Sequence, residues 1–143
     1  MNVDEMAGHL IRRLHQTSAH VFAVRTKEAG LDVTPIQFAA MDAIRAEPGI
    51  DQAGVAAKIA YDRATIGGVI DRLAQKGWIS RTVSKRDRRA RVLALTEDGA
   101  AMFDRVKPVV VDLQSDILPG LSADEQLQFL HLARKATATD TDN

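Results

Sequence analysis

Arg81-Thr-Val-Ser-Lys-Arg-Asp-Arg-Arg-Ala-Arg91 runs directly into Val92-Leu-Ala-Leu-Thr96. Six of the first eleven residues are basic and one is acidic. The flanks, Trp78-Ile-Ser-Arg-Thr-Val83 and Arg91 to Leu95, are β-prone, so the stretch predicts a hairpin with a charged tip. The 143-residue chain holds 19 Lys+Arg and 19 Asp+Glu and has no net charge. Positive charge gathered on one projection of a neutral chain points to a polyanion. The asymmetry extends outward from the hairpin. From Lys58 to Arg91 there are ten basic residues and three Asp, whereas the rest of the chain has nine basic residues and sixteen acidic ones.

Upstream of the hairpin the helix signals are strong. A first helix is predicted from about Asp4 to Ala29, stopped by Gly30, with Leu10, Leu14, Val21 and Val24 on one side and Ile11 and Phe22 widening the stripe. A second starts at Thr34 as N-cap, with Pro35 at the first helical position, Gln37 completing a capping box and Val33 opposite Phe38 as a staple. Phe38, Met41 and Ile44 form its buried side, and Pro48-Gly49 ends it. A short third helix starts at Asp51, with Ile50 and Val55 placed to staple it. A tight break at Ala60-Tyr61 precedes Asp62, the N-cap of a fourth helix that carries Ile66, Val69, Ile70 and Leu73 at core spacing and stops at Gly77. Downstream, Thr96 caps a fifth helix to about Leu118, which Pro108 should bend. Ser122 and Glu125 form a capping box for a sixth helix to about Lys135, and the polar tail from Thr137 reads as frayed. The fold class is therefore mainly α with a small β-hairpin: a winged helix-turn-helix over residues 32–96, flanked by long apolar helices in 1–31 and 97–143, the first long enough to suggest packing against a partner.

Composition removes several classes of function. With no Cys there are no disulfides, thiol sensors or thiolate metal sites. No apolar run reaches the roughly 18 residues that span a bilayer, and the N-terminus lacks a signal peptide's charge pattern, so a cytoplasmic location is expected. No Gly-rich phosphate loop, Ser–His–Asp pattern or close carboxylate pair supports an enzyme, and no cofactor is expected.

Two helices joined by a tight turn suit reading of a DNA major groove. The polar face of the fourth helix shows Arg63, Thr65, Gly67, Gly68, Asp71, Arg72 and Gln75. Arg can donate two bonds to a guanine edge, and Thr can meet a base or a thymine methyl. Gly67-Gly68 breaks the helix pattern, since each Gly costs about 1 kcal/mol relative to Ala. Close approach to a phosphate backbone or to a neighbouring element would compensate. In the hairpin, Asp87 is placed to pair with Arg81 or Arg89 and fix the loop, while Lys85, Arg86 and Arg88 are placed for phosphates and arginines of the tip would suit a narrow minor groove.

The pattern Asp87-Arg-Arg-x-x-x-Leu93-x-Leu95-Thr96-x-x-Gly99 follows Asp62-x-x-Thr65-Ile66 and Leu73-x-x-x-Gly77-Trp78-Ile79. Together these motifs resemble the MarR family of bacterial transcriptional regulators over roughly residues 10–135. The resemblance implies a homodimer whose end helices interlock, each protomer offering its winged helix to one half-site of a pseudo-palindromic operator. It also implies that Arg89 enters the minor groove, that Asp87 orients it, and that Arg63 and Thr65 stand in the reading helix. The Gly67-Gly68 pair departs from the polar residues commoner there.

Members of the family often bind small anionic aromatics. On the first helix His9, Arg13, Gln16 and His20 fall on one side and could hold a carboxylate, with Phe22, Phe38 and Met41 as an apolar wall. The expected function is a repressor released from double-stranded DNA by an aromatic or heteroaromatic carboxylate, hydroxybenzoate- or hydroxynicotinate-like. The alternatives are a metal-responsive regulator, for which His9, His15 and His20 lack Cys or acidic companions, and a winged helix that binds protein.

Overall fold

The computed structural model describes residues 1–59 and 61–138. Two units are described separately: residues up to Val21 with those from Asp112 onward, and Phe22–Val111. The secondary-structure order is α1 (Ala7–Glu28), α2 (Pro35–Ala46), α3 (Gln52–Lys58), α4 (Arg63–Gln75), β1 (Ile79–Val83), β2 (Arg91–Leu95), α5 (Glu97–Ile117) and α6 (Ala123–Ala138). This is the expected mainly helical fold with one antiparallel hairpin flanked by long helices.

Local chemistry sets most boundaries. Thr34 accepts from Gln37 N while the Gln37 side chain accepts from Thr34 N, the reciprocal capping box that opens α2. Asp51 caps α3 through Gly54 N at 2.7 Å, and Asp62 caps α4 through Ala64 N and Thr65 N. Gly77 ends α4 at φ 78°, a left-handed turn that a Cβ would strain. α1 starts later than the sequence pattern predicts. A separate 3-10 turn over Val3–Glu5 comes first, and Met6 is extended at φ −93°, ψ 125°, which breaks helical continuity. α5 remains helical through Pro108. α6 runs on to Ala138, past the predicted end at Lys135, with the Thr137 hydroxyl donating to the Ala133 carbonyl at 2.9 Å. Ala60 and the tail residues 139–143 lie outside the described residues.

In the Phe22–Val111 unit the apolar stripes of α2, α3 and α4 meet the hairpin and the first part of α5. Met41, Ile44, Val55, Ile66, Ile70, Leu73, Leu93, Phe103 and Val106 are all essentially removed from solvent. Burial of this kind contributes about 1.5–3 kcal/mol per large aliphatic side chain. The Phe38 ring stacks on Phe103 with centroids 5.4 Å apart, and the Arg45 guanidinium lies 5.0 Å from the Phe103 ring. The hairpin pairs Ile79 with Leu95 through to Val83 with Arg91. Its second strand is also tied to the segment before α3, because Leu93 N donates to the Ile50 carbonyl at 2.9 Å.

A polar knot joins α4, β1 and α5. Thr96 N donates to the Trp78 carbonyl at 3.0 Å. The Thr96 hydroxyl donates to the Gly77 carbonyl at 2.6 Å and accepts from Gly99 N at 2.9 Å. A Cβ on Gly99 would lie 1.8 Å from the Trp78 carbonyl oxygen, so only glycine fits.

In the other unit, Ser122 and Glu125 cap α6 reciprocally at 2.9 and 3.2 Å, and Gln126 donates to the Leu118 and Leu121 carbonyls. No helix among the described residues is long and apolar enough to cross a membrane.

Candidate nucleic-acid interface

α3, the turn after it and α4 form a helix-turn-helix, and the hairpin stands beside α4 as a wing. Ile66, Ile70 and Leu73 face the core with no exposure, which turns Arg63, Thr65, Gly68, Asp71, Arg72 and Gln75 outward. Arg63 is exposed and has no acidic partner among the described residues. The Thr65 hydroxyl donates to Asp62, the acid that caps the same helix. Its proton is therefore committed, and what Thr65 can offer a base is its methyl group and its oxygen lone pairs. Donation from this hydroxyl, followed by Thr65 N and Ala64 N, holds the Asp62 carboxyl below its ordinary value. Arg72 reaches Gln75 at a weak 3.5 Å.

The glycine pair has two different surroundings. A Cβ on Gly67 would meet the Gln52 side-chain nitrogen at 3.3 Å, whereas a Cβ on Gly68 would meet no heavy atom of the described residues within 4 Å. Internal packing therefore gives no reason for glycine at 68.

At the wing tip the Ser84 hydroxyl accepts from Arg86 N and Asp87 N at 3.2 and 3.3 Å. The Asp87 carboxylate accepts from Arg89 N at 3.0 Å and from Arg89 Nε at 3.4 Å. Of the two partners that the sequence leaves open for Asp87, the structure selects Arg89. Arg81 instead pairs with Asp71 of α4 at 2.5 Å, a contact that the sequence reading does not anticipate. The Arg89 side chain stays 94% exposed despite its pair, so the guanidinium is steered and still reachable. Lys85, Arg86 and Arg88 are exposed without acidic partners among the described residues. A cleft of about 370 Å³ between the starts of α3 and α4 and the tip of the wing is lined by Gln52, Arg63, Ile66, Asp87, Arg89 and Arg91.

The seven residues proposed for a ligand lie on α1 and α2. On α1, Arg13, Gln16 and His20 are exposed, and His9 Nδ1 lies 3.1 Å from Arg12 Nη2. Phe22 and Met41 are packed in the core, 6% and 1% exposed, and Phe38 is half-buried in its stack. Among the described residues no three His, Asp or Glu side chains gather as a metal site would require.

A short helix-turn-helix with an exposed reading helix, followed by an arginine-rich hairpin, defines a winged helix-turn-helix DNA-binding protein. Residues 31–90 match the MarR family. The chain is 32% identical over 139 residues to the HTH-type transcriptional repressor NicR of Pseudomonas putida, covering 97% of this chain and 87% of that protein. It superposes on PcaV of Streptomyces coelicolor, solved in complex with its natural ligand, with TM-score 0.87 and 31% identity over 96% of this chain and 95% of that one. It superposes equally well on BpsR of Bordetella bronchiseptica, whose DNA binding is regulated by 6-hydroxynicotinic acid, with TM-score 0.88 and 28% identity over 96% of each. The chain belongs to the MarR family of winged helix-turn-helix transcriptional regulators, which are DNA-binding proteins and not enzymes.

Proposed function

We propose that the chain is a homodimeric repressor that holds a pseudo-palindromic operator and releases it on binding a small aromatic or heteroaromatic carboxylate of the hydroxybenzoate or hydroxynicotinate kind. The observation that carries the reading is the outward face of the winged helix. It combines Arg63, an open glycine surface at Gly68 and the cations Lys85, Arg86 and Arg88 around a steered Arg89, and Arg63, Lys85, Arg86 and Arg88 have no acidic partner among the described residues. α4, with Arg63, Thr65, Gly67, Gly68 and Arg72, reads the major groove. Lys85, Arg86 and Arg88 meet phosphates, and Asp87 aims Arg89 into the minor groove.

Residues 1–31 and 97–143 supply the dimer contacts, and 32–96 the reader. Exposed apolar side chains on α1 (Leu10, Ile11) and α6 (Leu127, Leu130, Leu132) support this division, since such surface is costly in a monomer. Two-fold symmetry then spaces the half-sites about one DNA turn apart. The regulation of DNA binding by BpsR through 6-hydroxynicotinic acid supports this effector class. Arg13, flanked by His9, Gln16 and His20 on the exposed side of α1, is the cation that would hold its carboxylate.

The test is selection of duplexes from a randomised pool, followed by titration of hydroxybenzoic and hydroxynicotinic acids against the selected complex. A palindromic consensus, released by at least one acid in the wild type and by none in Arg13→Ala, is expected. A selection without two-fold symmetry refutes the dimeric reader. Equal release from Arg13→Ala refutes the carboxylate anchor.

A further inference from the structure

We infer that Asp71 is a positioning residue for DNA recognition: through Arg81 it holds the wing at a set distance from the reading helix. The inference rests on the operator-binding reading above and adds residues that do not themselves touch a base.

The contact is a charge-assisted pair at 2.5 Å between residues ten apart in sequence, one on α4 and one on β1. Among the described residues no other side-chain hydrogen bond or ion pair joins either wing strand to α4. The base of the wing is fixed by other means. Gly77 makes the turn, Trp78 N donates to the Leu73 carbonyl at 3.1 Å, and Thr96 binds both Gly77 and Trp78. Beyond Ile79 the hairpin continues for about five residues at roughly 3.3 Å each before its basic tip. A lever of that length, tied on its β2 side to the segment before α3 by Leu93 N on the Ile50 carbonyl and by the Asp51–Val92 bridge, could still swing its tip arginines relative to α4. Arg81 sits partway along this lever, where a tether to α4 limits the swing.

Asp71 has a rival role. An Asp on a reading helix can accept from the cytosine amino group, and an unpaired acid there would repel phosphates. The pairing argues for a different use. Arg81 neutralises Asp71 on the face that meets DNA, and Asp71 draws the Arg81 guanidinium back onto the protein. Its side chain is 60% exposed against 39% for Arg81, so the pair lies at the surface and contributes little to folding. Such a pair should matter mainly when both grooves must be engaged together.

The two roles predict opposite signs. The probe is a duplex recovered by the wild-type protein from a randomised pool, with binding followed by fluorescence anisotropy for Asp71→Asn, Arg81→Ala and the double variant. The tether predicts that Asp71→Asn weakens binding about fivefold per half-site, although it removes a negative charge from the DNA face. Arg81→Ala should weaken it further by baring Asp71, and the double variant should bind no worse than Arg81→Ala. Repeated selection with Asp71→Asn should keep the base preferences under α4 and lose those under the wing. Unchanged or tighter binding by Asp71→Asn, additive effects, or an altered base preference under α4 would each overturn the tether. A wild-type protein that recovers no duplex would refute operator binding itself, and this inference with it. A wild type that binds while the cycle is additive refutes the tether alone.

Discussion

Replacing Gly68 by Ala should move stability and DNA affinity in opposite directions. Gly68 lies inside α4 without a left-handed φ, and a Cβ there meets no heavy atom of the described residues within 4 Å. The methyl group is therefore free of internal clash, and the gain in helix propensity is about 1 kcal/mol. At an unfolding entropy of about 2.1 cal/mol/K per residue, a chain of 143 residues has roughly 0.3 kcal/mol/K, so the thermal midpoint should rise by about 3 °C. On DNA the same methyl group stands on the outward face between Thr65 and Arg72. If the bare backbone approaches the duplex closely, overpacking there should cost about 1–3 kcal/mol, a loss of roughly fivefold to 150-fold. No cation is removed, so the slope of log affinity against log salt should not change. Differential scanning calorimetry and anisotropy across a salt series measure both quantities on one preparation. A raised midpoint with unchanged affinity would show that the helix does not come close to DNA at Gly68. A lowered midpoint would show that the site is not open.

Arg89→Ala should weaken operator binding and flatten its salt dependence, by about 0.9 in log–log slope for each phosphate charge no longer neutralised; an unchanged slope counts against the wing assignment. Gly99→Ala should destabilise the fold by about 1–3 kcal/mol, because a Cβ 1.8 Å from the Trp78 carbonyl oxygen forces the start of α5 away from β1; chemical denaturation would show it, and a neutral result would refute the packing argument. The Asp62 carboxyl is held below its ordinary 3.8 by the Thr65 hydroxyl and the Thr65 and Ala64 amides, so its stabilising effect is complete above that value and is lost as pH falls through the depressed one. The stability difference between wild type and Asp62→Asn should thus shrink in strong acid, and a gap independent of pH would contradict the capping role.

The sequence is most legible where one interaction closes within a few residues. Thr34 with Gln37, Asp51 with Gly54, Asp62 with Thr65 and Ser122 with Glu125 are pairs three residues apart, and each marks a helix start that the structure shows. The hairpin register is equally local, set by the basic turn between two β-prone runs. What sequence leaves open depends on geometry between elements. Arg81 has acids on both sides of it in sequence, and only the placement of β1 against α4 decides that Asp71 takes it and Asp87 takes Arg89. Thr65 reads as a base contact through its hydroxyl or its methyl group, and only the cap geometry shows that the hydroxyl proton is already given to Asp62. Phe22 and Met41 read equally well as core or as the wall of a pocket, since an amphipathic period does not tell a filled interior from an open one. Gly99 is visible as part of a motif, but its purpose needs the Trp78 backbone beside it.

The contact between Gly99 and Trp78 also bears on engineering. Hybrid regulators are made by grafting the reader of one protein onto the sensor of another, and the obvious junction here is residue 96/97, where strand gives way to helix. That cut would separate Thr96 from Gly99 and place a foreign helix start against the Trp78 carbonyl, where even an alanine cannot sit. A workable splice therefore takes residues 77–99 from one parent as a block and makes its join farther along α5.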